Sequence, residues 1–380
     1  MDIRHASRLW IAACAVLSLA IIAANTRRAC EVHDLPDMEF GCNADRENAS
    51  SLLPRIARNP ADVDALKLLA ATSDRERSSA AVQALESIAP NDADVLRMRA
   101  ADAIAHRNWD RAVAPLAQLV EYQASEPAAK ALAAFVGDGQ WKQLLPYLGP
   151  GKQLAPRVLG QLGAARIPYS LGTPFAVEAI TRNALDEHAA GEFITRLQEQ
   201  GAWVDAFAVW TAQHRKGVPL LFNGSFDEPF VPAGFDWQVS SQALGPRAGM
   251  QIERVGEDRR GAILQVRLNG RRFGNPLIRQ MLLLGPGVYK VQGEYRTRRL
   301  RTENGFAWVA RCTASPDAVG RSEPLIDSGG DWRTFKFDVA PGRGCGPVVA
   351  LQLETAQPVE AETGGLGEIE FDALSVTPAR

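Results

Sequence analysis

The pattern of hydrophobic and polar positions changes near residues 220–237 of this chain of 380 residues. Before that stretch, apolar residues recur at intervals of three and four, as at Leu66, Leu69 and Ala70, which is the period of an amphipathic helix. After it, short runs alternate between apolar and polar residues, as in antiparallel strands with one face in a core. The pattern predicts a multidomain α plus β protein, with helices over 44–216 and an antiparallel β-sandwich over 220–377.

The helical part shows a repeated arrangement. Asp62 and Asp92 precede two predicted helices and are suited to cap their free amide groups. Trp109, Trp141 and Trp203 stand in similar segments, 32 and 62 residues apart, and the second interval is about twice the first. This period resembles that of tetratricopeptide repeats, although no unit carries the complete consensus. The resemblance implies an α-solenoid of helix-turn-helix units, which usually offers a surface to a protein partner.

The β part is predicted to contain about nine short strands. They are 235–239, 250–255, 262–268, 278–284, 288–296, 306–312, 332–339, 348–353 and 368–376. In the fifth strand, alternation places Val291 and Tyr295 on the core side and Gln292, Glu294 and Arg296 on the opposite side.

Five short motifs fall in order along this part of the chain. They are Asn-Gly-Ser-Phe at 223–226, Gly-Phe-Asp-Trp at 234–237, Leu-Gly-Pro-Gly-Val-Tyr at 284–289, Gly-Asp-Trp-Arg-Thr-Phe at 330–335 and Gly-Glu-Ile-Glu-Phe-Asp at 367–372. The ordered set resembles the jelly-roll, galactose-binding-like carbohydrate-binding modules of bacterial exported proteins. That resemblance implies a jelly-roll sandwich that binds a polysaccharide. The chain departs from the family in one respect, since no row of solvent-facing aromatic residues can be identified as a platform for sugar rings.

The candidate glycan-binding residues lie on two predicted strands. They are Trp332, Gln292, Glu294, Arg296 and Lys336. Alternation places Trp332 opposite Phe335 and Phe337, and therefore away from the core. The alternative interpretation is that Trp332 packs structurally and that the polar row is an ordinary solvated sheet face.

The resemblance also implies a structural calcium ion near the first and last strands. Its oxygen donors would be Asn223, Asp227, Glu228 and Asp372. No other cofactor is expected.

The N-terminus predicts export. Residues 9–24 form an uncharged apolar stretch of 16 residues, with arginines on both sides. We expect residues 1–28 to be an uncleaved single-pass anchor in a bacterial inner membrane, with the bulk of the chain in the periplasm. A cleaved signal peptide is the alternative.

Cysteine usage agrees with an oxidising compartment. Cys14 lies inside the apolar stretch, and the other four form two local pairs, Cys30 with Cys42 in the juxtamembrane segment 29–43, and Cys312 with Cys345. We predict these two disulfides, one of three possible pairings. The spacings contain no Cys-x-x-Cys, which does not favour zinc.

Charge is balanced overall but uneven along the β part. The net charge of −2 excludes a general nucleic-acid binder. Residues 247–311 contain 14 basic and 5 acidic residues, whereas residues 312–380 contain 5 basic and 11 acidic ones. Two sides of one sandwich with opposite charge, or a basic face for an acidic glycan, would both account for this.

No catalytic constellation is present in the sequence. All five histidines lie at or before position 214, and no phosphate-binding loop occurs. We therefore predict a non-catalytic, membrane-anchored scaffold or accessory protein for assembly or export of a surface polysaccharide. The alternatives are a pure protein-interaction scaffold and a cryptic glycan hydrolase with paired carboxylates.

Overall fold

The computed structural model describes most of the chain after the predicted anchor. The described residues are 49–71, 75–106, 108–214, 217–231, 233–241, 249–315 and 317–379. The apolar stretch 9–24 and the cysteines Cys14, Cys30 and Cys42 lie outside them. None of the helices within these ranges is both long and apolar enough to span a bilayer.

Contacts divide the chain into two compact units. Among the described residues, the first unit contains 49–148 and 152–165, and the second contains 149–151 and 166–379. The second unit therefore includes helices as well as the strands.

The first unit is helical. Its elements are α1 (Ala49–Arg58), α2 (Val63–Ala70), α3 (Arg75–Ile88), α4 (Ala93–Ala105), α5 (Trp109–Gln123), α6 (Glu126–Gly137), a 3-10 helix (Trp141–Tyr147) and α7 (Leu154–Gly160). Helices that follow one another along the chain pack together. One apolar core, which includes Leu52, Leu66 and Leu85, joins α1 to α4. The helical organisation of this region is therefore as predicted.

The predicted helix caps are confirmed. The Asp62 carboxylate accepts a hydrogen bond from the Ala65 amide at 3.0 Å. The Asp92 carboxylate accepts from the amides of Asp94 and Val95 at 2.9 and 3.2 Å. Each cap occupies amides that have no partner within the helix.

The three repeat tryptophans occupy equivalent places. Trp109 is the first residue of α5, Trp141 opens the 3-10 helix, and Trp203 opens a helix of the second unit. The element that Trp141 opens is a 3-10 helix of seven residues, and this differs from a regular pair of α-helices. The tetratricopeptide assignment stays a prediction.

The second unit begins with helices. A 3-10 turn (Tyr169–Gly172) leads into α8 (Thr173–Thr181), α9 (Glu187–Glu199) and α10 (Trp203–Gln213). Aromatic contacts connect α10 to the chain that leads into the sheets: the ring centroids of Phe207 and Phe235 are 5.1 Å apart, and those of Trp210 and Phe222 are 5.5 Å apart.

Within the described residues, ten antiparallel strands follow, in two sheets of five. The elements are β1 (Gln238–Val239), β2 (Met250–Glu257), β3 (Gly261–Asn269), β4 (Ile278–Leu283), β5 (Tyr289–Arg301), β6 (Phe306–Cys312), β7 (Ala318–Arg321), β8 (Arg333–Val339), β9 (Val348–Thr355), a short helix α11 (Pro358–Thr363) and β10 (Leu366–Pro378). Sheet A has the order β1-β4-β9-β6-β7, and sheet B has the order β2-β3-β10-β5-β8. The predicted antiparallel sandwich is confirmed. The sequence pattern missed β7, which has only four residues.

The apolar core lies between the two sheets. Val291 and Tyr295 of β5 point into it, as alternation predicted, and so does Trp308 of β6. Trp237 is only 1% exposed, and its indole N–H donates to the Asn223 carbonyl at 2.9 Å. Trp237 and Trp308 are therefore structural residues of the core.

A disulfide and a buried side-chain amide stabilise the sandwich. The predicted disulfide between Cys312 and Cys345 is present and closes a loop with a separation of 33 residues. Gln280 of β4 is fully buried, and its side-chain amide bonds to both backbone groups of Phe222, at 3.1 Å to the N–H and 2.8 Å to the carbonyl. Phe222 lies between α10 and β1, in what we call the lead-in segment. Gln280 thereby satisfies backbone groups of this segment as an adjacent strand would.

Candidate functional site

The candidate glycan-binding residues come together on the outer face of sheet B. Gln292 of β5 lies directly opposite Lys336 of β8, and both are exposed. Glu294 and Arg296 follow on the same face of β5, where they lie opposite Asp372 and Glu370 of β10. This face is therefore the polar row that the sequence predicts, and β10 adds acidic residues to it.

Arg296 is held tightly on this face. Its Nε lies 2.5 Å from Oε2 of Glu370, and its Nη1 lies 2.9 Å from Oε1 of Glu257. The side chains of Arg296 and Glu370 are 11% and 2% exposed, so the pair is largely shielded from water. Arg298 adds a further contact of 3.3 Å to Glu370. A buried carboxylate with two arginine partners is satisfied without any ligand.

Arg260 forms a second bridge beside the first. Its Nη1 lies 2.6 Å from Glu294 and 3.1 Å from Asp372. Burial raises the pKa of Asp372, and the hydrogen bond from Arg260 only partly opposes that rise. Arg260 therefore joins the β2–β3 turn to the middle of sheet B.

Trp332 lies against both bridges. The guanidinium carbons of Arg260 and Arg296 are 4.3 and 4.6 Å from its ring centroid, within the range of cation–π contacts. The side chain is partly exposed. Trp332 is thus away from the core, as expected, but part of its aromatic surface is already used by arginines.

The two charge blocks of the sequence meet within one sheet. Arg267, Arg296 and Arg298 of the basic block pair with Glu368 and Glu370 of the acidic block. The reason is topological, since β10 lies between β3 and β5. Part of the unevenness is therefore cancelled by cross-strand pairs on sheet B.

Three of the four donors proposed for calcium have other partners. The Asn223 side chain bonds to the backbone N–H and carbonyl of Glu228, at 3.0 and 2.8 Å. The Asp227 carboxylate accepts the Ala262 N–H at 2.9 Å, and this bond lowers the pKa of Asp227. Asp372 is paired with an arginine. In the part of the chain that the structure describes, no three acidic, His or Cys side chains are grouped to hold a metal ion. The four donors do not fit a shared calcium site.

A second polar row crosses sheet A, and the sequence did not identify it. Five residues on consecutive strands lie directly opposite one another on its outer face: Gln238, Arg279, Gln352, Val309 and Arg321. We call these residues the sheet A row. Two members lie in strands of two and four residues, β1 and β7, which are too short to show alternation. The available signal was an outward-facing polar side chain in two largely apolar strands, Arg279 in β4 and Gln352 in β9.

An ion pair supports the middle of the sheet A row. Nε and Nη2 of Arg311 each lie 2.9 Å from one oxygen of Glu354, in the two-pronged geometry that guanidinium and carboxylate favour. The Gln352 side-chain amide donates to the same carboxylate. Burial alone would raise the pKa of Glu354, but the hydrogen bonds from Arg311 and Gln352, together with the arginine charges, outweigh it and lower the pKa.

The floor of this face consists of small side chains. Ala307 and Val309 are fully buried and Ala350 is 8% exposed, although all three point away from the core between the sheets. Arg279 and Arg321 are exposed on either side of this floor. The Arg279 Nε donates to Gln238 at 3.1 Å, and the Arg321 guanidinium donates to the Ala356 carbonyl. The exposed guanidinium groups thus lie on either side of a buried apolar middle.

Comparisons with known proteins identify no family. No family model matches the chain, and no curated protein matches it. Among solved structures, it is similar to a CBM4 carbohydrate-binding module, with 18% identity and a TM-score of 0.33 over 42% of this chain and 99% of the other. It is also similar to the CBM22-1 xylan-binding domain of Paenibacillus barcinonensis Xyn10C, with 12% identity and a TM-score of 0.28 over 41% and 92%. A third is TmCBM61 in complex with beta-1,4-galactotriose, with 12% identity and a TM-score of 0.23 over 43% and 100%. Similarity at this level carries no conclusion about the ligand of this chain.

Proposed function

We propose that this protein is a non-catalytic accessory protein of polysaccharide assembly or export, and that its sandwich binds the glycan. Residues 9–24 would anchor it in a bacterial inner membrane, with the described units in the periplasm. The helical unit, with its tetratricopeptide-like spacing, would hold a protein partner. Because a fold alone does not determine a function, the proposal depends on the outer face of sheet A.

The observation that carries the proposal is the sheet A row. Its members stand on adjacent strands, which are spaced by about 4.8 Å. Gln238 and Arg279 therefore offer hydrogen-bonding groups on one side of the sheet, and Arg321 offers them on the other. Arg279 and Arg321 are exposed and Gln238 is half-buried, whereas Gln352 between them is only 8% exposed and donates to Glu354. Sugar hydroxyl groups need such a set of fixed donors and acceptors.

The sheet B face is the second candidate surface. Gln292 and Lys336 are exposed neighbours there, and part of the Trp332 ring is accessible. In contrast to the sheet A row, the charged groups around Trp332 are bound to one another. A sugar that used Glu294 or Arg296 would have to compete with these ion pairs, so we favour sheet A.

Glycan-array binding by the full chain tests the proposal. We expect Gln238→Leu to weaken binding, because it replaces a half-buried amide of the row, which accepts from Arg279, with an apolar group of similar size. Trp332→Ala should leave binding intact. Gln123→Leu, at the exposed end of α5, makes the same change in the first unit and is the matched control. Thermal unfolding of each variant separates loss of binding from loss of folding.

Each other outcome has a definite meaning. Loss of binding only in Trp332→Ala would move the glycan site to sheet B. No binding to any glycan by the folded chain would contradict a glycan-binding role and favour the pure protein-interaction scaffold. Release of new reducing ends from bound oligosaccharides would show instead that the protein is a hydrolase.

A further inference from the structure

We infer that the sheet A face selects acidic glycans, those that carry carboxylate groups. This inference rests on the proposed function, since it names the class of glycan for the same surface. The charged residues in the five strands of sheet A are Arg279, Arg311, Arg321 and Glu354. Three guanidinium groups therefore accompany a single carboxylate.

That carboxylate is paired with Arg311 and also accepts from Gln352. Both oxygens of Glu354 accept from Arg311, and the Glu354 side chain is only 12% exposed. Arg279 and Arg321, in contrast, are exposed and bond to uncharged groups, the Gln238 side chain and a backbone carbonyl. The face therefore carries an excess of positive charge that the strands of sheet A do not neutralise.

The two exposed arginines are placed to receive charges at separate points along an extended chain. Arg279 lies on β4 and Arg321 on β7, with β9 and β6 between them. Three strand spacings separate their backbones, a distance of about 14 Å. Gln352 lies between them, but it is only 8% exposed and donates to Glu354. A linear polymer with carboxylates at intervals would therefore meet one cation on each side of this span.

The chemistry of the face favours charge over ring stacking. The aromatic residues in the strands of sheet A are Phe306 and Trp308, and both are buried in the core between the sheets. A neutral sugar would therefore find no aromatic surface on these strands. A carboxylate matches the guanidinium fork with two parallel hydrogen bonds. An uncharged ligand that covered the same arginines would leave them desolvated without a counter-charge, and this penalty produces selectivity.

The test compares acidic oligosaccharides with their neutral counterparts. Oligomers of galacturonic, mannuronic, guluronic and glucuronic acid are each titrated into the full chain by calorimetry, beside the same oligomer with its carboxyl groups reduced to alcohols. We expect at least one acidic form to bind about tenfold or more tightly than its reduced form, because charge-assisted hydrogen bonds are stronger than neutral ones. Its affinity should also fall as salt is added.

Substitutions locate the selectivity. Arg279→Gln and Arg321→Gln should each lower the affinity for the acidic oligomer by about tenfold. The affinity for the reduced form should be nearly unchanged, because a neutral amide retains hydrogen bonds but not charge. Arg279→Lys should be intermediate, because it keeps the charge and loses the fork. Arg271→Gln removes the same charge from an exposed position between β3 and β4 and should have no effect.

The outcomes separate this inference from the function on which it rests. Equal affinity for acidic and reduced oligomers would overturn the selectivity and leave glycan binding standing. Acidic binding that survives both arginine-to-glutamine substitutions would also overturn it, because recognition would then lie elsewhere. If the folded chain bound neither these oligomers nor any neutral glycan, the proposed function itself would fail.

Discussion

Gly234 lies against the indole ring of Trp210, so closely that a Cβ at this glycine would be 2.3 Å from Cε3 of the ring. The Gly234 carbonyl also accepts a hydrogen bond from the Gln198 side chain at 3.0 Å. Its φ of +80° is one that residues with a Cβ rarely adopt. Helices α9 and α10 are thereby fixed to the segment that enters the sandwich.

We expect Gly234→Ala to destabilise the second unit. The added methyl group would overlap the ring of Trp210, and the backbone would have to remain at an unfavourable φ. Overpacking alone costs about 1–3 kcal/mol. Calorimetric unfolding of the full chain measures the effect. Gly256→Ala is the matched control, because nothing lies within 4 Å of the position of its Cβ. Equal stability of the two variants would contradict the contact.

The same contact predicts where the sandwich can be separated from the rest of the chain. A fragment of residues 166–380 should unfold in one cooperative transition. A fragment of residues 220–380 should be less stable, because Phe222 and Phe235 would lose the aromatic partners that α10 supplies. Loss of packing around large aromatic side chains lowers the free energy of unfolding by roughly 3–5 kcal/mol. Thermal unfolding and binding of a hydrophobic dye compare the fragments, and equal transition temperatures would show that α10 is dispensable.

Gln280 supports the lead-in segment from the other side. Gln280→Leu keeps the volume but removes both hydrogen bonds to Phe222. We expect a loss of about 1–3 kcal/mol in the free energy of unfolding, because backbone groups are left without partners. Gln292→Leu, at an exposed position of β5, is the control and should change stability by less than about 0.5 kcal/mol. A similar loss in both variants would argue against a special role for Gln280.

The lowered pKa of Glu354 leads us to expect that the stability of the protein depends on pH. Burial raises its pKa, but the hydrogen bonds from Arg311 and Gln352 and the charges of the arginines outweigh burial and lower the pKa below its ordinary value of 4.5. A group with a lowered pKa stabilises the folded state above its ordinary value, and this contribution is lost as the pH falls through the folded-state pKa. The stability difference between the unmodified chain and Glu354→Gln should therefore shrink on going from about pH 7 to about pH 3.

Chemical denaturation of both proteins across this pH range provides the measurement. Glu199→Gln removes one exposed carboxylate from the same unit and serves as the control for general effects of charge. A difference for Glu354→Gln that grows as the pH falls would contradict the lowered pKa. The result also bears on the sheet A row, since the ion pair of Glu354 with Arg311 supports its centre.

Alternation within single strands was sufficient to assign faces correctly. It placed Val291 and Tyr295 in the core, and it placed Gln292, Glu294 and Arg296 together outside it. Side chains of a strand point to opposite faces in strict succession, so this information is local. The local pairing of Cys312 with Cys345 was also correct.

The sequence could not reveal how strands from distant parts of the chain combine. Arg279 and Arg321 share a row only because β9 and β6 lie between their strands. Likewise, Glu370 neutralises Arg296 because β10 inserts between β3 and β5. Neither relationship produces a periodic pattern in the sequence, because each depends on the order of the strands in a sheet.

The sequence by itself determined the division into helices and strands, the antiparallel sandwich and the faces of its strands, because periodicity and turn residues act over a few positions. Only the tertiary structure decided that α10 packs with the sandwich. It also decided that the charged residues of the predicted row on sheet B form ion pairs with one another, and that a row flanked by arginines crosses sheet A. Those features arise from contacts between residues far apart in the chain, where packing and cross-strand electrostatics prevail over local propensity.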